Sequence, residues 1–169
     1  IEYATASFGQ GVAITPISMI RSLGVLANGG VLIKPHVVSE IVFAPGISEK
    51  VKPIDQGRVI KQTTSDEITR MLVKVVDDAL LGGTVKMENY SIAAKTGTAQ
   101  MADLINGGYY NDRFFHSFFG YFPAYDAKYL VLLYVSEPKE VRYASQTLTH
   151  PFMDTVKFLI NYYEVQPDR

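Results

Sequence analysis

Three extended runs, Ser91 to Gln100, Phe114 to Tyr121 and Tyr129 to Val135, follow one another with only turn-rich stretches between them. No other feature of the chain narrows the fold as much. Asn106-Gly107-Gly108, inside the loop from Asp103 to Asp112, marks the first return and Tyr125-Asp126 the second. Connections of this kind join antiparallel neighbours, whereas a parallel pair needs a long crossover that is usually helical. Tyr129 to Val135 is apolar on both faces, which predicts a strand buried between layers. Phe152, Val156, Leu159, Ile160 and Tyr163 form one stripe at helical spacing, which predicts a helix from Pro151 to Tyr163 covering the sheet.

Upstream, Thr15 can cap a helix that Pro16 opens, with Ile17, Ile20, Leu23, Gly24 and Ala27 on its inner side and Asn28-Gly29-Gly30 ending it. Residues 1–14, with Gly9 and Gly11 around Gln10, read as an irregular loop. Val31 to Phe43 reads as short strand segments broken at Pro35, and Pro45 to Gly57 as a polar surface connection. Thr64 and Glu67 sit at capping-box spacing before a second helix, whose apolar face is Ile68, Met71, Leu72, Val75, Val76, Ala79 and Leu80, ending at Gly82-Gly83. Arg70, Lys74, Asp77 and Asp78 then fall on a solvated face. The fold class expected is α/β in the α+β sense: an antiparallel sheet flanked by helices.

A chain of 169 residues fits one domain, 1–169, and 47% hydrophobic with 20% charged residues suffices for a folded core. A net charge of −1 removes any broad electrostatic reason to expect nucleic acid as a partner. No cysteine is present, so there are no disulfides or thiolate metal sites, and no apolar run reaches the roughly 18 residues of a membrane span. The chain begins at Ile1 instead of methionine, which suggests a processed chain or a piece of a longer one.

The chemistry concentrates at Lys95-Thr96-Gly97-Thr98. Lys95 offers a compact positive charge, Thr96 and Thr98 share one face of an extended strand, and Gly97 removes the side chain that would block a close approach. Such a strand suits a ligand carrying a carboxylate.

Lys95-Thr96-Gly97-Thr98-Ala99-Gln100 is flanked by Phe8-Gly9-Gln10-Gly11 with Thr15-Pro16, by Ala27-Asn28-Gly29-Gly30, and by His116-Ser117-Phe118-Phe119-Gly120-Tyr121-Phe122-Pro123-Ala124. In this order and spacing the pieces resemble the C-terminal half of class B penicillin-binding transpeptidase domains, over nearly the whole chain. The resemblance implies part of the fold shared by penicillin-binding proteins and serine β-lactamases. It implies that Lys95 and the hydroxyls of Thr96 and Thr98 hold the carboxylate of substrate or β-lactam, with Gly97 and Gln100 beside them. It also implies that the backbone amide of Thr98 is one of two oxyanion-hole donors, the other being the amide of the catalytic serine. The family's Ser-x-x-K and Ser-x-Asn motifs precede this region and are absent from the chain. Three departures are visible: Ala94 where glycine is usual, Ser18 where glutamine is common, and Tyr143-Ala144-Ser145 where a glycine pair often stands.

Competing uses of the same residues fare worse. A phosphate-binding loop requires glycines where Asn89 and Ala94 stand. His116 and Ser117 are strand neighbours and point to opposite faces, so they cannot form a nucleophile and base pair, and His116 is expected to play a structural part. His36 and His150 lack ligand spacing, so no metal site is expected, and no cofactor. The aromatic residues from Phe114 to Phe122 read as packing, while Tyr109, Tyr110 and Arg113 are candidates to line a cleft. The resemblance implies a D,D-transpeptidase cross-linking peptidoglycan at the extracytoplasmic face of a bacterial membrane, with D-Ala-D-Ala stem peptides and β-lactams as ligands and cell-wall synthesis proteins as partners. A β-lactam sensor domain and a serine β-lactamase remain alternatives. Without its nucleophile the chain alone is expected to be inactive, with one flank of the sheet exposed or covered by the missing part of the domain or another chain.

Overall fold

The computed structural model describes residues 2–169; Ile1 lies outside the described residues. Where a loop was expected at the start, one helical turn forms, α1 (Glu2–Ala6), before the chain loosens through Gly9 and Gly11, both with left-handed φ. The first long helix, α2 (Pro16–Ala27), begins as its sequence dictates: the Thr15 hydroxyl accepts the Ser18 amide at 3.3 Å. Asn28, Gly29 and Gly30 stop it, the glycines at φ +76° and +98°.

Four short strands follow: β1 (Val31–Lys34), β2 (Glu40–Ala44), β3 (Ile47–Lys50) and β4 (Ile54–Arg58). They form two antiparallel pairs, β1 with β4 and β2 with β3. The stretch from Pro45 to Gly57 is thus not simply a connection. The strands β3 and β4 are not marked there by any apolar alternation, because both are exposed along their whole length.

Helix α3 (Gln62–Lys74) has Lys61 as its N-cap residue, ahead of the expected cap, and Thr64 falls within its first turn. Glu67 binds Arg70 at 2.6 Å instead of closing a capping box. The buried face is also displaced: Ser65, Thr69 and Val73 point inward, while Met71 is half exposed. Two polar residues tolerate burial because each has a partner, Ser65 Oγ donating to Leu26 O at 2.7 Å and Thr69 Oγ1 lying 2.7 Å from the Tyr121 hydroxyl. A π-helical turn (Val75–Ala79) and a 3-10 turn (Leu80–Gly83) complete the element. Asp77, expected to be solvated, is largely covered and pairs with Arg169 at 2.5 Å.

The main sheet has the order β5-β6-β7, built from β5 (Ala93–Ala102), β6 (Tyr109–Phe122) and β7 (Tyr129–Ser136), all antiparallel. Strand β6 begins at Tyr109, so the first return is shorter than the sequence suggests. Helix α4 (Ala144–Tyr162) covers one face and starts seven residues before the expected position, with Pro151 inside it. The proline costs a backbone bond, but Leu148 and Thr149 ahead of it are already buried, so packing holds the first two turns in place. The larger core lies here, where Phe152 stacks on Phe118 at 4.3 Å among Ile92, Ala94, Val156 and Ile160. A smaller core on the other face joins Val73, Ala93, Tyr121 and Ala124. Strand β7 is not buried between layers: it is an edge strand, mostly half-buried, with Tyr134 exposed.

Candidate functional site

The candidate site is the free edge of β5. Among the described residues strand β5 pairs with β6 alone, in a register that sets Lys95 opposite Phe119, Gly97 opposite Ser117 and Thr98 opposite His116. Which backbone groups face outward follows from one bond at the far side of the sheet. Glu137 N–H donates to Phe114 O at 2.9 Å, so even-numbered β6 residues direct their amides and carbonyls to β7 and odd-numbered ones to β5. By the same alternation, Lys95, Gly97 and Ala99 bond to β6. Ala94, Thr96, Thr98 and Gln100 then turn their backbone groups toward the open edge. Lys95 agrees with this: its ammonium folds back and donates to the outward carbonyl of Thr96 at 2.8 Å.

Side chains alternate too. Thr96 and Thr98 share the face toward α4, as expected, while Lys95 and Gly97 share the opposite face with Ser117. The Thr98 hydroxyl accepts the amide of Ala144, the first residue of α4, at 3.0 Å, which leaves its own proton free to be donated. Tyr143-Ala144-Ser145 thus starts α4 directly beside the site. Ala94, buried with 1% exposure, is accommodated because it faces Gly120 across the strand pair.

A groove of about 540 Å³ runs beside the strand, between Thr96 to Ala99 and the segment holding Phe8, Val12, Ile14 and Met19. Its floor is the Lys95–Gly97 face of the sheet, with Phe115, Ser117, Leu132 and Tyr134. The strand therefore borders an open, largely apolar cleft and not a sealed interior. Gly97 keeps the floor low, since a Cβ there would stand 2.6 Å from Ser117 Oγ. Gln100 has both ends of its amide engaged: Nε2 donates to Tyr110 O at 3.0 Å and Oε1 accepts from Gln10 Nε2 at 3.3 Å. This pair ties the groove wall to the strand, a link between residues ninety positions apart that no local pattern announces.

At the end of β5, Arg113 stacks over Tyr110 at 4.3 Å and Asp103 organises the return. Its carboxylate accepts the amides of Asn106 at 3.0 Å and Ile105 at 2.9 Å and the side chain of Asn106. These bonds, that of the Asn106 amide foremost, pull its pKa down to about 2. His116 is fully buried under α4, with Nε2 donating to Arg142 O at 3.0 Å and Nδ1 2.9 Å from Thr147 Oγ1. It braces the start of α4. Among the described residues no cluster of three or more His, Cys, Asp or Glu could hold a metal ion.

One literal Ser-x-x-Lys spacing does occur, Ser136-Glu137-Pro138-Lys139, but it follows the Lys-Thr-Gly element. It leaves β7 through Glu137 at φ +50° and Pro138, so no helical turn brings Lys139 over Ser136.

A model of the penicillin binding protein transpeptidase domain matches residues 1–156. Stage V sporulation protein D of Bacillus subtilis is 33% identical over 158 residues, covering 92% of this chain and 24% of that protein. Penicillin-binding protein PbpB of Mycolicibacterium smegmatis is 31% identical over 145 residues, 82% of this chain and 22% of that one. The chain thus spans about a quarter of the length of these curated relatives. The crystal structure of penicillin binding protein 3 from Mycobacterium tuberculosis in its apo form shares the fold, with a TM-score of 0.82 at 24% identity over 99% of this chain and 39% of that one.

Proposed function

Since the chain belongs to the penicillin binding protein transpeptidase domain family, we propose that it contributes the ligand-holding strand of a serine acyl-transfer site that cross-links peptidoglycan. The nucleophile is a serine of polypeptide outside these 169 residues. It attacks the carbonyl of a D-Ala-D-Ala peptide, the terminal D-alanine leaves, and the amine of a neighbouring stem peptide accepts the acyl group. A β-lactam acylates the same serine. The outward amide of Thr98 donates to the oxygen that becomes negative in the tetrahedral intermediate, and the serine's own amide is the second donor. Lys95 and the hydroxyls of Thr96 and Thr98 hold the ligand's carboxylate, and Gly97 leaves the ligand room. The site works outside the cytoplasmic membrane. No helix among the described residues is long and apolar enough to cross a bilayer.

The observation that carries this reading is the direction of the Thr98 amide toward an open edge, beside a lysine whose ammonium donates to the outward carbonyl of Thr96. It can be tested in the protein that joins this chain to its preceding polypeptide. Thr98→Pro removes the outward N–H at a position where an edge strand tolerates proline. Losing an oxyanion donor costs about 3 kcal/mol, so acylation by a fluorescent penicillin should slow roughly hundredfold. Unchanged labelling would remove Thr98 from the oxyanion hole. The isolated 169-residue chain should not be labelled at all.

A further inference from the structure

Between Gly83 and Ala93 the chain has neither helix nor strand, yet this stretch delivers β5 to its place. Buried backbone groups there need partners, and the segment after α4 provides them. Tyr90 Oη donates to Val165 O at 3.1 Å, the Asp168 amide donates to Asn89 O at 3.1 Å, and Arg169 Nε donates to Met87 O at 3.1 Å. Arg169 is itself clamped by Asp77, Nη1 at 2.5 Å and Nη2 at 2.9 Å.

The centre of the network is Ser91, which is 1% exposed. Its amide donates to Asp168 Oδ1 at 2.7 Å and its hydroxyl donates to Asp168 Oδ2. The same serine's Oγ and carbonyl accept the amide of Ala124, at 2.9 and 3.0 Å, where the chain leaves β6. Asp168 therefore holds a residue that ties the lead-in to β5 to the end of β6. Ser91 precedes Lys95 by four residues, about 13 Å along an extended chain, so play at Ser91 passes directly into the Lys95–Thr98 edge.

We propose that residues 164–169 act as a strap that fixes the register of the ligand-holding strand, with Asp168 as its positioning residue. The strap binds the lead-in much as a further strand would, but through side chains, and the charged carboxylate makes its strongest link. That it serves ligand holding rests on the function proposed above; that it positions β5 does not.

Hydrogen exchange in the 169-residue chain tests the positioning. Asp168→Ala should lower protection of the Ala93, Lys95 and Gly97 amides about tenfold, the scale set by losing hydrogen bonds to a charged group. The Val131 and Leu133 amides, which join β7 to the same central strand, should keep theirs. Asp168→Asn, which retains one acceptor, should fall between. Ser91→Ala should reproduce the loss, and the double variant Ser91→Ala/Asp168→Ala should exceed either single variant by less than their sum. Equal loss in β5 and β7, no loss in either, or full additivity would overturn the strap. Titration with N-acetyl-D-alanyl-D-alanine, followed by the amide signals of Lys95 to Thr98, tests the link to function, with binding expected to weaken threefold or more in Asp168→Ala. An unaltered chain that does not respond to the dipeptide refutes the proposed ligand holding while the exchange result still judges the strap. Equal binding by both chains refutes the coupling between the two.

Discussion

Gly120 and Gly97 lie on adjacent strands, and neither has a left-handed φ, so their substitution isolates a question of space. A Cβ at Gly120 would stand 2.5 Å from Phe152 Cζ, 2.7 Å from Ala94 Cβ and 2.8 Å from Ala93 O. Ordinary carbon contacts begin near 3.5 Å, so Gly120→Ala asks for a shift of about 1 Å. None of the three neighbours can supply it cheaply. Phe152 is fully buried and stacked on Phe118, and the other two atoms belong to the backbone and Cβ of β5 itself. The strands must part, in a core where overpacking costs typically 1–3 kcal/mol, and with three clashes at once we expect about 3 kcal/mol. At roughly 2–4 °C per kcal/mol for a chain of this size, the melting temperature should fall by about 6–12 °C. Gly97→Ala meets Ser117 Oγ at 2.6 Å and Ser117 Cβ at an ordinary 4.0 Å, and a serine hydroxyl can rotate away. Its cost should stay below about 1 kcal/mol, with the loss appearing in ligand binding as the groove floor rises. Thermal unfolding followed by circular dichroism compares the two. If Gly120→Ala melts within about 2 °C of the unaltered chain, the tight approach of β5, β6 and α4 is wrong.

Two further outcomes follow from single bonds. Thr69→Val strands the buried Tyr121 hydroxyl, at a cost of about 1–3 kcal/mol in urea unfolding, and adding Tyr121→Phe should recover most of it; no recovery would mean that the pair is not what stabilises this contact. Asp103 has a folded pKa depressed from 3.8 to about 2, so its contribution to the 103–108 turn is present above 3.8 and is lost as pH falls through about 2. An NMR titration should show its carboxyl and the Ile105 and Asn106 amides moving together in that window, and a midpoint near 3.8 would refute the turn.

Several elements were legible because their chemistry is local. Thr15 and Pro16 carry the start of α2 within four residues, and the order β5-β6-β7 follows from turns and apolar runs that are neighbours in the chain. The extended run holding Lys95, Thr96, Gly97 and Thr98 forms strand β5, as its sequence predicts. Local rules failed where packing outvoted them. Pro151 reads as a helix start but lies within α4, because Leu148 and Thr149 are held in the core ahead of it. Thr69 is not among the apolar residues expected to face the core but points inward, because Tyr121, fifty-two residues away, offers it a partner.

The chain's own letters therefore specified a helix-flanked antiparallel sheet and a cationic, hydroxyl-bearing strand, since capping, turn geometry and side-chain alternation act over a few residues. Tertiary structure alone decided that the Thr98 amide faces an open edge, that Gln10 meets Gln100, and that Asp168 grips Ser91. Each of those depends on which distant segments become neighbours, and that is settled by burying the two cores on either side of β5 and β6.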